Sequence, residues 1–99
     1  MMITVDKNDS ALKLTLSGRL DTTTAPELEK VIEAQTDGVT ELELDMEKLE
    51  YISSAGLRVL LAATKQMDAA GGTLTVSHVC EDVMEVFDMT GFSDILNIK

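Results

Sequence analysis

The sequence predicts an α/β fold, in which helices pack mainly on one face of a mixed sheet of four to five strands. Short segments alternate apolar and polar residues, which is typical of half-buried strands. Stretches with helical spacing separate these segments and end at glycine. A strand, a helix of roughly 15 residues and another strand form a right-handed crossover between parallel neighbours. The predicted order is therefore β-β-α-β-α-β-α, with an optional short strand at the end.

The first two strands lie at the amino terminus. Ile3 and Val5 indicate a short strand, and leucine at every second position from 12 to 16 indicates a half-buried one. Residues 8–10 (Asn-Asp-Ser) have the composition of a turn and join the two.

The first helix is predicted to begin at Thr24 and to stop near residues 37–38 (Asp-Gly). Thr24 can cap the helix, and Glu27, three residues later, can complete a capping box. Pro26 lies in the first turn, where its missing N–H costs little. Apolar residues at helical spacing supply the buried stripe: Leu28, Val31 and Ile32.

The remaining elements follow the same alternation. Leu42, Leu44 and Met46 predict a strand, and positions 57, 60, 61 and 64 give helical spacing to a run that reaches residue 70. Glycines at 71 and 72 end this helix, and Leu74 and Val76 mark the next strand. A last helix carries Val83, Val86 and Phe87 and closes at Gly91, before a short apolar segment at 95–98.

Composition limits the class of partner. The formal net charge is -10, from 18 acidic and 8 basic residues. This argues against nucleic acid and anionic membranes, because basic patches supply most of the attraction to both. The charge is compatible with a protein partner that carries a basic patch. Only Tyr51, Phe87 and Phe92 are aromatic, so stacking platforms for bases are not expected.

We expect one cytoplasmic domain covering residues 1–99. The length fits one domain, the first six residues lack the features of a signal peptide, and no run of 18 apolar residues occurs. Cys80 is the only cysteine, which excludes an internal disulfide and gives no metal-site spacing. His78 has no cysteine or histidine companion. No metal and no cofactor are predicted.

Ser54 is the main candidate for function. It precedes a helical run, where a serine is an ordinary N-cap that accepts a hydrogen bond from a free backbone N–H. The same free N–H groups and the helix dipole would also favour a phosphate. Gly56 either leaves space beside such a group or permits tight packing. The local pattern leaves the alternatives open.

Several longer motifs occur along the chain. Residues 18–21 (Gly-Arg-Leu-Asp) precede the first helix, residues 51–61 read Tyr-Ile-Ser-Ser-Ala-Gly-Leu-Arg-Val-Leu-Leu, and two glycines at 71–72 precede a strand. Residues 87–92 (Phe-Asp-Met-Thr-Gly-Phe) complete the pattern. In these motifs and their order, residues 3–98 resemble the STAS domain family, and within it the bacterial anti-sigma factor antagonists.

The resemblance implies partner switching. An unphosphorylated antagonist of this kind binds an anti-sigma factor that is also a serine kinase with a histidine-kinase-like ATPase fold, and so releases a sigma factor. Phosphorylation of a serine two residues before the motif's glycine ends the binding, and a PP2C-type phosphatase restores it. Here that serine is Ser54. Many members carry aspartate just before it, where this sequence has Ser53, a less favoured acceptor.

The expected partner-binding surface surrounds Ser54. It comprises the loop at residues 21–24, the segment 50–53 and the exposed side of the following helix. The residues expected to contact the partner are Asp21, Thr22, Thr23, Ser53, Ser54, Ala55, Gly56 and Arg58.

Three other functions would each need features of their own. A nucleophilic Ser54 would need a base, but His78, the only histidine, should end a strand that runs away from the helix start, and residues 52–56 lack the first glycine of a G-x-S-x-G elbow. The chain is therefore predicted not to be an enzyme. STAS domains also serve as non-switching subunits of lipid-transport, anion-transport or signalling complexes, which is the alternative function. Nucleotide binding, suggested for some members, finds no glycine-rich phosphate loop here.

Overall fold

The computed structural model describes all residues, 1–99. The elements are, in chain order, β1 (Met2–Asn8), β2 (Ala11–Leu20), α1 (Ala25–Gln35), β3 (Glu41–Ile52), α2 (Ser54–Ala69), β4 (Thr73–Ser77), α3 (Glu81–Thr90), a 3-10 turn (Phe92–Asp94) and β5 (Asn97–Ile98). The predicted order of elements is confirmed, including the short last strand. None of the helices combines the length and the apolar character that crossing a bilayer requires.

The five strands form one sheet in the order β1-β2-β3-β4-β5. β1 runs antiparallel to β2, whereas β2 to β5 are parallel neighbours. Parallel neighbours need a crossover connection, and α1, α2 and α3 provide the three crossovers. The prediction of a mixed α/β sheet is confirmed.

One face of the sheet carries the core. The register places Leu14 beside Leu44 and Leu44 beside Val76, and none of the three is accessible to solvent. Residues at alternate positions of a strand share a face, so these leucines and valines form one apolar surface. Each helix contributes to the same cluster of 23 buried residues, for example through Leu28, Leu60 and Phe87. The prediction that helices pack mainly on one face is therefore confirmed.

The opposite face of the sheet is polar. There the register places Lys13 beside Glu43 and Glu43 beside Thr75. Two residues further along each strand, and so on the same face, Thr15 lies beside Asp45 and Asp45 beside Ser77. This polar side of the sheet gives the strands their alternating pattern in the sequence.

β3 is longer than predicted, with 12 residues instead of an end near Met46. Its pairing with β2 shifts register between residues 15 and 17 and again between 18 and 19. Each shift adds one residue to β3, as in a β-bulge, so buried Leu49 and Ile52 are three residues apart. The bulges break the period of two, which is why alternation of apolar and polar residues does not indicate a strand there.

The predicted capping box of α1 is wrong. The Thr24 hydroxyl makes no cap bond to the helix. It donates to the Arg19 carbonyl at 2.7 Å and accepts from the Asp21 N–H at 2.8 Å, which ties the loop to the end of β2. Glu27 is left exposed, and Val31 is half-buried, while Ala25 joins the buried stripe. Pro26 lies in the first turn as predicted.

Candidate docking and modification site

The site lies where β2 and β3 end and α2 begins. A single residue, Ser53, separates β3 from α2. Its N–H donates to the Leu20 carbonyl at 2.9 Å, which continues the pairing of the two strands into the start of the helix. The amino terminus of α2 is thereby fixed against the carboxyl ends of both strands.

Ser53, and not Ser54, is the N-cap of α2. It has extended backbone angles (φ -101°, ψ 176°), and its Oγ accepts from the Gly56 N–H at 3.4 Å. The Ser53 carbonyl closes the first turn by accepting from the Leu57 N–H at 2.9 Å. The expectation that Ser54 caps the helix is therefore wrong, because the helix begins at Ser54, one residue earlier than that assignment requires.

Ser54 is the first residue of α2, and its side chain is exposed. Its hydroxyl makes no hydrogen bond within the chain. The backbone N–H groups of Ser54 and Ala55 also have no partner, as is usual in a first helical turn. No acidic residue lies in that turn. A negative group on Ser54 would meet free N–H donors and the positive end of the helix dipole.

Gly56 is a packing residue. A Cβ at this position would lie 2.7 Å from Leu20 Cγ and 2.9 Å from Ile52 Cγ1. Both distances are well below van der Waals contact, so only glycine lets α2 approach the ends of β2 and β3 this closely. Of the two roles considered for Gly56, the structure shows tight packing and leaves no space for a ligand. By bringing the helix close, Gly56 sets the position of Ser54.

Asp21 organises the loop at residues 21–24. Its Oδ1 accepts from the Thr23 hydroxyl at 2.8 Å and from the N–H groups of Thr23 and Thr24 at 3.1 and 3.2 Å. The bond from the Thr23 hydroxyl, helped by the two N–H groups, lowers the pKa of Asp21 below its ordinary 3.8, although desolvation opposes this. The ionised Asp21 side chain thus stabilises the turn at residues 21–24. Thr22 and Thr23 are exposed beside it.

Arg19 adds a cation that the predicted surface did not include. Cross-strand pairing sets Arg19 beside Tyr51, and its guanidinium carbon lies 4.2 Å from the centre of the Tyr51 ring. The Arg19 Nε is 3.9 Å from Asp21 Oδ2. Arg19 follows Gly18, which has a positive φ, and the pairing of β2 with β3 shifts register between these two residues. The alternation of apolar and polar residues therefore does not extend to this end of β2. The pairing of β2 with β3 is the information that the sequence alone lacks.

A groove between α1 and α2 opens next to Ser54. It has a volume of about 380 Å³, and Thr22, Ala55 and Arg58 of the predicted surface line it, together with Ala25, Glu29 and Val59. Arg58 is exposed and forms no ion pair. The structure therefore brings the loop, the helix start and Arg58 onto one side of the molecule.

His78 belongs to a different cluster, at the end of β4. Its Nδ1 lies 3.1 Å from Asp45 Oδ1, and Lys13 Nζ lies 3.6 Å from Asp45 Oδ2. The Glu47 carboxylate comes close enough for one ligand atom from each of Asp45, Glu47 and His78 to lie within 4.8 Å of the others. His78 has carboxylate neighbours that the sequence did not reveal, and it makes no hydrogen bond to Ser54.

Asp45 is buried within this cluster. Burial raises its pKa, but the Glu47 N–H, His78 and Lys13 together outweigh burial and hold the pKa below the ordinary 3.8. The Lys13 ammonium, 3.6 Å from Asp45 Oδ2, balances part of the negative charge of the Asp45 carboxylate.

Two comparisons of sequence concern the whole chain. The family model of the STAS domain matches residues 2–99. A protein of Bordetella bronchiseptica named as an anti-sigma factor antagonist, BtrV, is 39% identical over 99 residues, which are 99% of this chain and 85% of that protein. The anti-sigma-B factor antagonist of Bacillus subtilis is 26% identical over 97 residues, covering 98% of this chain and 89% of the relative.

Solved structures of SpoIIAA from Bacillus, an anti-sigma factor antagonist, share the fold. The unphosphorylated form has a TM-score of 0.78 at 16% identity and covers 99% of this chain and 87% of its own. The phosphorylated form has a TM-score of 0.77 at 17% identity, with 99% and 91% covered.

These relatives are named for antagonising another regulator and not for a reaction, which agrees with the prediction that the chain is not an enzyme. The STAS model leaves out only one residue of the 99. The chain belongs to the STAS domain family.

Proposed function

We propose that this chain is an anti-sigma factor antagonist that acts as one STAS domain in the cytoplasm. In its unphosphorylated form it binds an anti-sigma factor that is also a serine kinase, and this binding releases a sigma factor. Phosphorylation of Ser54 ends the binding, and a PP2C-type phosphatase restores it. The 39% identical relative named as an anti-sigma factor antagonist supports the first part of the proposal.

One observation carries the assignment of Ser54. Its hydroxyl is exposed and without a hydrogen bond, whereas the neighbouring Ser53 hydroxyl is half-buried and accepts from the Gly56 N–H. A kinase can reach Ser54 without breaking the helix cap. Serine and aspartate are both good N-caps, so Ser53 can cap the helix as an aspartate at this position would.

The transfer needs only an acceptor from this chain. The Ser54 Oγ forms a bond to the γ-phosphorus of ATP as the bond from that phosphorus to the β–γ bridging oxygen breaks, and ADP leaves. The hydroxyl proton passes to a base on the kinase, as in other protein kinases. The phosphatase reverses the modification by hydrolysis and releases inorganic phosphate. The absence of a hydrogen-bonded base beside Ser54 is compatible with this role.

The phosphate would act on the docking surface and leave the fold intact. It adds about -1.5 to -2 charges at a helix terminus whose field favours an anion, so nothing there drives distortion. A partner surface shaped for a neutral serine must desolvate that charge or oppose it with acidic groups. We expect affinity to fall at least about 100-fold, or roughly 3 kcal/mol. The unphosphorylated and phosphorylated forms of SpoIIAA match the fold of this chain about equally well, with TM-scores of 0.78 and 0.77, which supports this mechanism.

Incubation with the anti-sigma factor kinase of the same genome and ATP, followed by mass spectrometry, tests the proposal. We expect one phosphate per chain, on Ser54. Ser54→Ala should gain none and should stay in the complex when ATP is present. Ser53→Ala is the matched control and should still be phosphorylated. Stoichiometric phosphate on Ser54→Ala would exclude Ser54 as the acceptor and direct attention to Ser53.

The same assay distinguishes partner switching from the alternative function, that of a non-switching subunit. A non-switching subunit of a transport or signalling complex would gain no phosphate, and its binding would be independent of ATP. That outcome, obtained with an active kinase that phosphorylates its own antagonist, would contradict partner switching for this chain.

A further inference from the structure

Ser54 and Arg58 form a pair on the exposed side of α2. They lie four residues apart, which places the two Cβ atoms about 5–6 Å from one another on one side of the helix. Both side chains are exposed. Arg58 is the only basic residue from 54 to 61, and the chain's ion pairs all involve other residues. A free guanidinium therefore stands one helical turn from the proposed phosphate.

We propose that Arg58 binds the phosphate of phosphorylated Ser54 within the same helix. The inference rests on the proposed function, because it concerns the state that phosphorylation creates. A guanidinium can donate two parallel N–H bonds to two phosphate oxygens. The order of the charges is also favourable, since an acidic group four residues before a basic one stabilises a helix more than the reverse order.

Neighbouring charges leave Arg58 available. Glu29 of α1 lines the same groove as Arg58, but the two side chains form no ion pair. Arg19, the other arginine at this end of the molecule, is held over the Tyr51 ring at 4.2 Å and lies 3.9 Å from Asp21 Oδ2. A phosphate with nearly two charges attracts a guanidinium more strongly than one carboxylate does.

The pair changes what phosphorylation does to the docking surface. The modification adds an anion and at the same moment removes a cation that the partner could otherwise contact. A phosphate on Ser53 would not do this, because it would lie five residues from Arg58 and would replace the helix cap. The geometry thus distinguishes the two serines a second time.

The test uses full-length chain with phosphoserine installed at position 54 by genetic code expansion, so that no kinase or partner is needed. The second ionisation of the phosphate, near pH 6 in a free phosphoserine, is followed by ³¹P NMR. A cation beside the phosphate favours the dianion and lowers this pKa. We expect Arg58→Gln to raise the phosphate pKa by about 0.2 to 0.4, and Arg58→Lys to raise it less. Lys65→Gln, on an exposed position of the same helix, should leave it unchanged.

Two results would overturn the proposal: an unchanged phosphate pKa in Arg58→Gln, or a rise in Arg19→Gln alone, which would assign the phosphate to Arg19. Thermal unfolding of the unphosphorylated variants checks that they remain folded. Failure here is distinct from failure of the proposed function. Without the ion pair, the kinase could still modify Ser54 and end binding; without the kinase reaction, the installed phosphate would still report the pair.

Discussion

The hydroxyl groups of Ser53 and Ser54 have different surroundings, although the residues are adjacent. The Ser53 hydroxyl accepts from the Gly56 N–H at the amino-terminal end of α2, whereas the Ser54 hydroxyl is exposed and makes no hydrogen bond. The stability of the helix start and the proposed phosphorylation can therefore be tested separately, by substitution at two neighbouring positions.

Ser53→Ala should lower the free energy of unfolding by about 1 kcal/mol, because it removes the N-cap of α2. Ser54→Ala should change it by less than about 0.5 kcal/mol, as is usual for an exposed residue without a partner. Urea denaturation measures both. Ser53→Asp is the control and should keep the stability, since aspartate also caps. A larger cost at position 54 than at 53 would contradict this assignment of the cap.

Gly56→Ala should destabilise the fold by about 1–3 kcal/mol, because its methyl group would overlap Leu20 and Ile52. Alanine has the better helix propensity, so a stabilised variant would show that the overlap is relieved at little cost. Leu20→Ala removes part of the obstacle. The double variant should therefore lose less stability than the sum of the single variants, as measured by denaturant unfolding.

At the scale of the elements, Asp45 joins three strands on the polar face of the sheet. It lies on β3 and contacts Lys13 of β2 and His78, which directly follows β4. The folded state lowers the pKa of Asp45, so folding favours its carboxylate. The stabilisation is complete well above pH 3.8 and is lost as pH falls through the folded-state pKa.

Asp45→Asn should therefore unfold at a lower temperature than the unsubstituted chain at neutral pH, and the difference should shrink in acid. Circular dichroism melts from about pH 7 to about pH 2 follow this change. Asp68→Asn, at an exposed position, is the matched control and should show no such dependence. A difference that stays constant through the acid range would show that Asp45 acts by packing and not by its charge.

Elements were predictable where their periodicity is regular. The leucines of β2 and the glycines after α2 and α3 marked these elements correctly. The second half of β3 was missed, because two register shifts break its alternation. The cap of α1 was assigned wrongly since the Thr24 hydroxyl bonds the Arg19 carbonyl, a partner that only the strand end provides.

At the scale of the molecule, the sequence predicted which segments form the candidate site, but not the contacts between their residues. Motif order located Ser54, Arg58 and the loop at 21–24, which do meet at one end of the sheet. The roles of Ser53 and Gly56 depend on distances of a few tenths of an ångström between α2 and the strands. Such distances follow from packing, which a linear pattern does not encode.

Phosphoserine at position 54 should leave the backbone of the whole molecule unchanged. We expect amide chemical shifts to move mainly at residues 21–24 and 53–58, because the charge lies at a helix terminus that accommodates an anion. The strands at 12–16 and 74–76 should keep their shifts. A two-dimensional amide spectrum of each form measures this, and large changes in those strands would favour a conformational mechanism.

Ser53 caps the helix and Ser54 is the proposed phosphorylation site, and this separation of roles has an evolutionary consequence. Since Ser53 alone caps the helix, the folded state places almost no constraint on the side chain at position 54. Selection on that position would therefore act through signalling and hardly at all through folding. A lineage could lose the proposed switch by one substitution there, or regain it, while the protein keeps its abundance in the cell, because substitutions that leave stability unchanged do not expose a chain to degradation.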